Sequence, residues 1–187
     1  FGRWHISVLL ILLLGAIQVY CRCTSIEVFI IPHSHCDPGW LNTFEGYYQS
    51  EVQLILNEVV TALEGHPDRR FIWAEISFFH RWWNDQSDRR REVVRRLVSS
   101  GQLEFVSGGW VQNDEANPSF VSVIEQITWG HEYLFRNFGK RPHFAWNVDP
   151  FGHSSVTPLL FKQMGFEAVV LNRIRYDLKD SFKRAQT

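Results

Sequence analysis

The chain has almost no net charge: 19 Lys and Arg stand against 20 Asp and Glu, a formal −1 at pH 7. Without a basic excess, attraction to nucleic acid or to an anionic membrane surface is excluded as the organising interaction. Methionine is nearly absent. The one residue is Met164, and the chain opens on Phe1, so the natural start is expected upstream. No Asn-x-Ser/Thr acceptor occurs, because Asn117 precedes Pro118, and this excludes N-linked glycosylation of the stretch itself. Repeats and low-complexity linkers are also missing, and 187 residues at 45% hydrophobic content suffice for one domain with its own core. What is plentiful is aromatic: 8 Trp and 15 Phe, rings that fill a core and also stack against sugars.

Residues 1–26 read as a targeting segment. Arg3 and His5 precede an apolar run from Ile6 to Ile17 that only Ser7 and Gly15 interrupt. That length suits a signal-peptide core better than a membrane span of about 20 residues. No small-x-small cleavage site follows, since Tyr20-Cys21-Arg22-Cys23 is bulky and basic, so the expectation is an uncleaved signal anchor and stem. A membrane is then one partner, and the rest of the chain enters the secretory pathway. Cys21 and Cys23 beside the anchor could pair between chains, which leaves a homodimer open.

Beyond residue 26, short apolar runs alternate with helical patterns. Strands are expected at Val28–Ile31, Phe71–Ala74, Leu103–Val106, Phe144–Val148 and Ala168–Leu171. Helices are expected at Glu45–Leu63, Phe78–Trp83, Asp88–Ser100, Pro118–Phe138 and Thr157–Met164, with Gly65, Gly101, Gly139 and Gly165 as stops. Arg89-Arg90-Arg91 is read as the solvated face of a helix whose buried face is Val93, Val94, Leu97 and Val98. The alternation predicts an α/β fold: a parallel sheet with flanking helices. The final stretch, Lys183 to Thr187, completes no periodic element and reads as a fragment boundary.

In such folds reactive groups gather past the carboxyl ends of strands. The richest such loop is His33-Ser34-His35-Cys36-Asp37-Pro38-Gly39-Trp40. In extended backbone His33, His35 and Asp37 point the same way, a metal-ligand pattern, and Pro38-Gly39 then frees Trp40 to stand over them. Asp149, in Asn147-Val148-Asp149-Pro150-Phe151-Gly152-His153, follows another strand and supplies a second carboxylate. Two carboxylates are what glycoside hydrolysis requires.

These blocks, with Gly108-Gly109-Trp110-Val111 and Asp114-Glu115-Ala116 between them, resemble in order the motifs of the family 38 α-mannosidases. The resemblance runs from about Val28 to Lys179. The Pro-Gly-Trp and Phe-Gly-His-Ser forms are similar to the Golgi mannosidase II branch. It implies that residues 27–187 are the first part of a seven-stranded (β/α) barrel-like catalytic domain. By position it implies His35, Asp37 and Asp149 as Zn2+ ligands, Asp149 also as nucleophile, Trp40 as a wall against the mannose ring, and Phe151 and Arg173 as pocket lining. His33 would stand behind the ligands. Cys36 departs from the pattern, where Asn or Asp is expected, and alternates away from the ligands. A further zinc-binding His and the acid/base carboxylate are expected beyond Thr187. The implied activity is retaining hydrolysis of α-linked mannose on N-glycan oligosaccharides. The implied place is a Golgi membrane, type II with a lumenal catalytic domain, or else a secreted or lysosomal setting. Two rivals stay open: a zinc-dependent amidohydrolase or deacetylase, and a truncated, non-catalytic form that binds sugar or a partner.

Overall fold

In the computed structural model, residues 27–116 and 119–185 are described; the expected anchor, with Cys21 and Cys23, lies outside them. The chain divides into two units after Ile30, and the helices, strands and site described below belong to the second. No helix among the described residues is long and apolar enough to cross a membrane.

The first helical pattern folds as α1, Phe44–Tyr47, a π-helical turn at Tyr48–Val52, and α2, Gln53–Gly65. Thr43 caps it: its hydroxyl accepts from the Gly46 amide at 3.1 Å. Val52, Leu56 and Val60 form the buried stripe, as their spacing predicts. Then come β1, Phe71–Trp73; α3, Ile76–Asn84; α4, Asp88–Ser99; and β2, Leu103–Phe105. The chain continues through α5, Phe120–Phe138; β3, Phe144–Asn147; α6, Val156–Gln163; β4, Ala168–Leu171; and α7, Tyr176–Ala185. The fold is α/β, with β1 parallel to β2 and β3 parallel to β4.

Three expectations need correction. Val28–Ile31 is no strand, and Val28, Phe29 and Ile30 are exposed. Pro32 has no N–H to give a ladder. Only its carbonyl takes part, accepting from Ile72 N at 3.1 Å, beside a single parallel bridge between His33 and Ile72. Lys183 to Ala185, read as part of a polar end that completes no element, instead close a helix, α7, over residues 176–185. Asp177 in its first turn and Lys183 and Arg184 in its last suit the helix dipole, and its apolar side chains Leu178 and Phe182, four residues apart, stay exposed. The arginines of α4 do more than meet solvent. Arg90 Nη2 donates to Asn57 O at 2.9 Å and Thr61 Oγ1 at 2.8 Å on α2, and Arg91 Nε donates to Trp83 O at 3.2 Å.

The main core lies under α2, α3 and α4, where Leu56, Trp73, Phe78, Phe79, Trp82, Val94 and Leu103 are buried. The two short sheets are joined by one residue past β2. Ser107 donates its amide to Phe144 O at 2.8 Å. Its hydroxyl accepts from Trp146 N at 2.7 Å and donates to Trp146 O at 3.2 Å. These bonds hold Ser107 at φ 51°, a left-handed conformation that a serine adopts only when its surroundings impose it. His131 on α5 donates from Nε2 to the Ser107 carbonyl at 2.8 Å.

The Gly108-Gly109-Trp110 block is where α5 docks. A Cβ on Gly130 would strike the Gly108 carbonyl, and one on Gly109 would strike the Gln126 side chain. Trp110 N donates to Gln126 O at 2.9 Å across that contact. In a free helix Gly→Ala gains about 1 kcal/mol. Here the close approach reverses the sign, because a backbone carbonyl cannot swing away as a side chain can. Gly130→Ala is expected to cost about 3 kcal/mol and to lower the thermal midpoint. A midpoint equal to or above wild type would show that α5 does not pack this closely.

Candidate active site

Parallel pairing decides which side chains meet. Asn147 of β3 is in register with Leu171 of β4, so the residues two places further on, Asp149 and Arg173, emerge side by side. Arg173 Nε donates to Asp149 Oδ1 at 2.8 Å, and its guanidinium stands 4.6 Å over the Phe151 ring. On the other pair, Glu75 lies two residues past Trp73, the last residue of β1. His35 lies two past His33, which bridges β1.

The result is a convergence of His35, Asp37 and Asp149, whose ligand atoms all lie within 4.8 Å of one another. His35 Nε2 is 3.2 Å from Asp37 Oδ1 and 3.5 Å from Asp149 Oδ2. One imidazole and two carboxylates, a hard and borderline donor set, could hold a divalent metal ion, and zinc accepts all three ligand types. Each oxygen of Asp149 thus has its own neighbour, Oδ1 the guanidinium and Oδ2 the imidazole.

Trp40 and Phe151 are 74% and 83% exposed, so neither ring is spent on the core. The Trp40 loop is tied at its far end by Leu41 N donating to Tyr47 Oη at 3.1 Å. His33 does not join the three groups; its ring packs edge-on against Trp146, centroids 4.9 Å apart. Cys36 faces the core, partly buried against it, and burial pushes its thiol up to about 12, aided by the nearby charge of Glu75. Asp114 accepts from Ala116 N at 2.9 Å, a turn contact.

Three further residues, of which only Glu115 stood in a motif block, belong to this region. Glu115 takes hydrogen bonds from Ser154 N at 2.9 Å, Thr157 Oγ1 at 3.0 Å and Asn147 Nδ2 at 3.3 Å, so it shapes the loop after β3. Gln112 Nε2 lies 3.2 Å from His35 Nδ1 and donates to Glu75 Oε1 at 2.5 Å. Glu75, 1% exposed, is a buried carboxylate beside the cluster. Burial pushes it above the usual carboxylate range, against the lowering effect of bonds from Gln112 and the Cys36 amide. A signal for Glu75 existed: an acidic residue directly after a core strand, as with Asp149.

The chain is thus a parallel α/β chain with an imidazole–carboxylate cluster past its strand ends. Residues 25–187 match the family described as Glycosyl hydrolases family 38 N-terminal domain, and the chain belongs to that family. Alpha-mannosidase C of Dictyostelium discoideum is 50% identical over 161 residues, covering 86% of this chain and 15% of that protein. Alpha-mannosidase 2x of Mus musculus is 47% identical over 157 residues, covering 84% of this chain and 14% of that protein. The chain thus spans about 15% of the length of the curated relatives it matches. Among solved structures, an alpha-mannosidase from Enterococcus faecalis V583 superposes with a TM-score of 0.67 at 19% identity, over 76% of this chain and 16% of that one. A 4-alpha-glucanotransferase from Thermococcus litoralis gives 0.54 at 19% identity, over 74% and 21%. These two likenesses speak for the fold alone.

Calorimetric titration of the chain with zinc is expected to show weak binding that Asp37→Ala and Asp149→Ala abolish and Cys36→Ser leaves unchanged. Binding that survives both carboxylate variants and disappears with Cys36→Ser would transfer the site to the thiol.

Proposed function

We propose that this chain is the first part of the catalytic domain, residues 27–187, of a zinc-dependent retaining α-mannosidase that trims α-linked mannose from N-glycan oligosaccharides. The observation that carries the reading is the convergence of His35, Asp37 and Asp149 at the strand ends, in a chain whose relatives are named alpha-mannosidases. The complete domain would be the (β/α) barrel-like form that the family resemblance implies. Residues 1–26 would anchor it, type II, in a Golgi membrane.

His35, Asp37 and Asp149 would hold the zinc, and a bound zinc would grip the sugar's vicinal hydroxyls and favour a distorted ring. The remaining work belongs to side chains. Trp40 and Phe151, exposed rings on the two loops that carry the cluster, would offer flat apolar faces to a pyranose. Arg173, bonded to Asp149 Oδ1, fixes the rotation of the carboxylate so that an oxygen can face the anomeric carbon. Asp149 forms a bond to that carbon as the glycosidic bond breaks, and the departing oxygen takes a proton from a carboxylic acid supplied by the rest of the domain. Water then attacks the same carbon, releases the Asp149 carboxylate and gives its proton to the acid's conjugate base. Two inversions retain the α configuration.

A mechanism-based fluorosugar is expected to label Asp149 in a protein of the relatives' full length, and Asp149→Asn should fold yet take no label and turn over no α-mannoside. Label recovered on another carboxylate would displace Asp149 from the nucleophile's role. Turnover of a sugar amide in preference to an α-mannoside would favour the deacetylase reading.

A further inference from the structure

Glu75 is unusual by position: a carboxylate 1% exposed, at the end of β1, with Oε2 buried and without a hydrogen-bond partner. An ionisable group so placed is costly relative to an apolar residue of the same bulk, so its retention asks for a role beyond filling space. Its Oε1 accepts from the Cys36 amide at 3.3 Å and from Gln112 Nε2 at 2.5 Å. It lies 4.0 Å from His35 Nδ1. Gln112 fills the same space, with Nε2 3.2 Å from Nδ1 and its Oε1 buried and unpartnered. The far side of the His35 ring is therefore backed by two polar side chains, one of them fully buried, while Nε2 faces Asp37 and Asp149. An imidazole that meets a cation through one nitrogen is almost always held at the other, which sets its tautomer and tilt.

We propose that Glu75, acting with Gln112, is the positioning residue of His35: it holds the ring through Nδ1 and so aims Nε2 at Asp37 and Asp149. Gln112 suits the task because an amide serves either tautomer. Its NH2 donates to a bare Nδ1; turned over, its oxygen accepts from Nδ1–H. Glu75 keeps that amide in reach, and through the Cys36 amide it also fixes the backbone between His35 and Asp37. The orientation of the ring is independent of any metal; only the affinity measurement below rests on the zinc reading.

The test is long-range 1H–15N NMR of the histidine rings in the metal-free chain, with zinc titration alongside, for wild type, Glu75→Leu and Glu75→Gln. In wild type the metal-free His35 ring should sit in one tautomer, with its proton on Nε2 where the Gln112 amide donates to Nδ1; zinc held at Nε2 would move that proton to Nδ1, with the amide turned over. Glu75→Leu keeps the bulk and should give a tautomer mixture, with zinc bound roughly 10- to 100-fold more weakly at unchanged far-UV circular dichroism. Glu75→Gln keeps an acceptor oxygen and should restore both properties. A His35 ring that exchanges between tautomers in wild type, or one whose signals and zinc affinity are the same in Glu75→Leu, overturns the proposal. His35→Ala separates the two claims: if it leaves zinc affinity intact, the zinc reading fails, and the metal-free spectra alone decide the role of Glu75.

Discussion

Parallel pairing in fixed register is the constraint from which the site follows. Parallel strands bring all their carboxyl ends to one edge, and residues equally far past those ends become neighbours whatever their separation in sequence. Asp149 and Arg173, 24 residues apart, meet at 2.8 Å because Asn147 lies opposite Leu171. His35 reaches the same region through a single bridge to β1 and not through a strand of its own. The cluster is therefore no better placed than the link between the β1–β2 and β3–β4 pairs, and that link runs through Ser107. Its amide and hydroxyl bond the β3 backbone, and its carbonyl takes the His131 imidazole of α5.

A division of labour among the motifs follows. The loop after His33 and the loop after β3 bring the chemistry, whereas the Gly108-Gly109-Trp110 block between them is a docking surface for α5, flat because Gly130 and the loop glycines must touch. Glu115, in the same stretch, belongs to neither the cation cluster nor the helix contact. It holds Ser154 and Thr157, and so sets the path of the chain after Asp149. Glycine and carboxylate positions that look catalytic in a motif can thus serve geometry.

Much of this was readable from the residues. The apolar spacing of α4 named its buried face, and Gly139 at φ 63° ends α5 as a left-handed cap. The residue pattern offered His33, His35 and Asp37 as ligands and Asp149 as a second carboxylate; the family resemblance narrowed the set to His35, Asp37 and Asp149. What escaped did so for physical reasons. Val28–Ile31 is apolar and β-branched, but composition does not tell whether a ladder partner lies alongside. The helix at 176–185 carries a short apolar stripe, Leu178 and Phe182, that went unread because so many charged residues surround it. Arg90 looked like a solvated charge because its bonds to Asn57 and Thr61 cross from one helix to another. Glu75 and Gln112 come together from positions 37 residues apart, through a contact no local pattern encodes. The pairing of Arg173 with Asp149 required the strand register.

The central claim is that three side chains, and no others among the described residues, form the cation site at these strand ends. Anomalous diffraction at the zinc edge from crystals of the chain soaked in zinc tests it most directly. The account predicts one strong peak bonded to His35 Nε2 and to carboxylate oxygens of Asp37 and Asp149, at about 2.0–2.2 Å. A peak at Cys36 Sγ, or at the exposed His143–Glu167 pair with the three-residue cluster vacant, would contradict it.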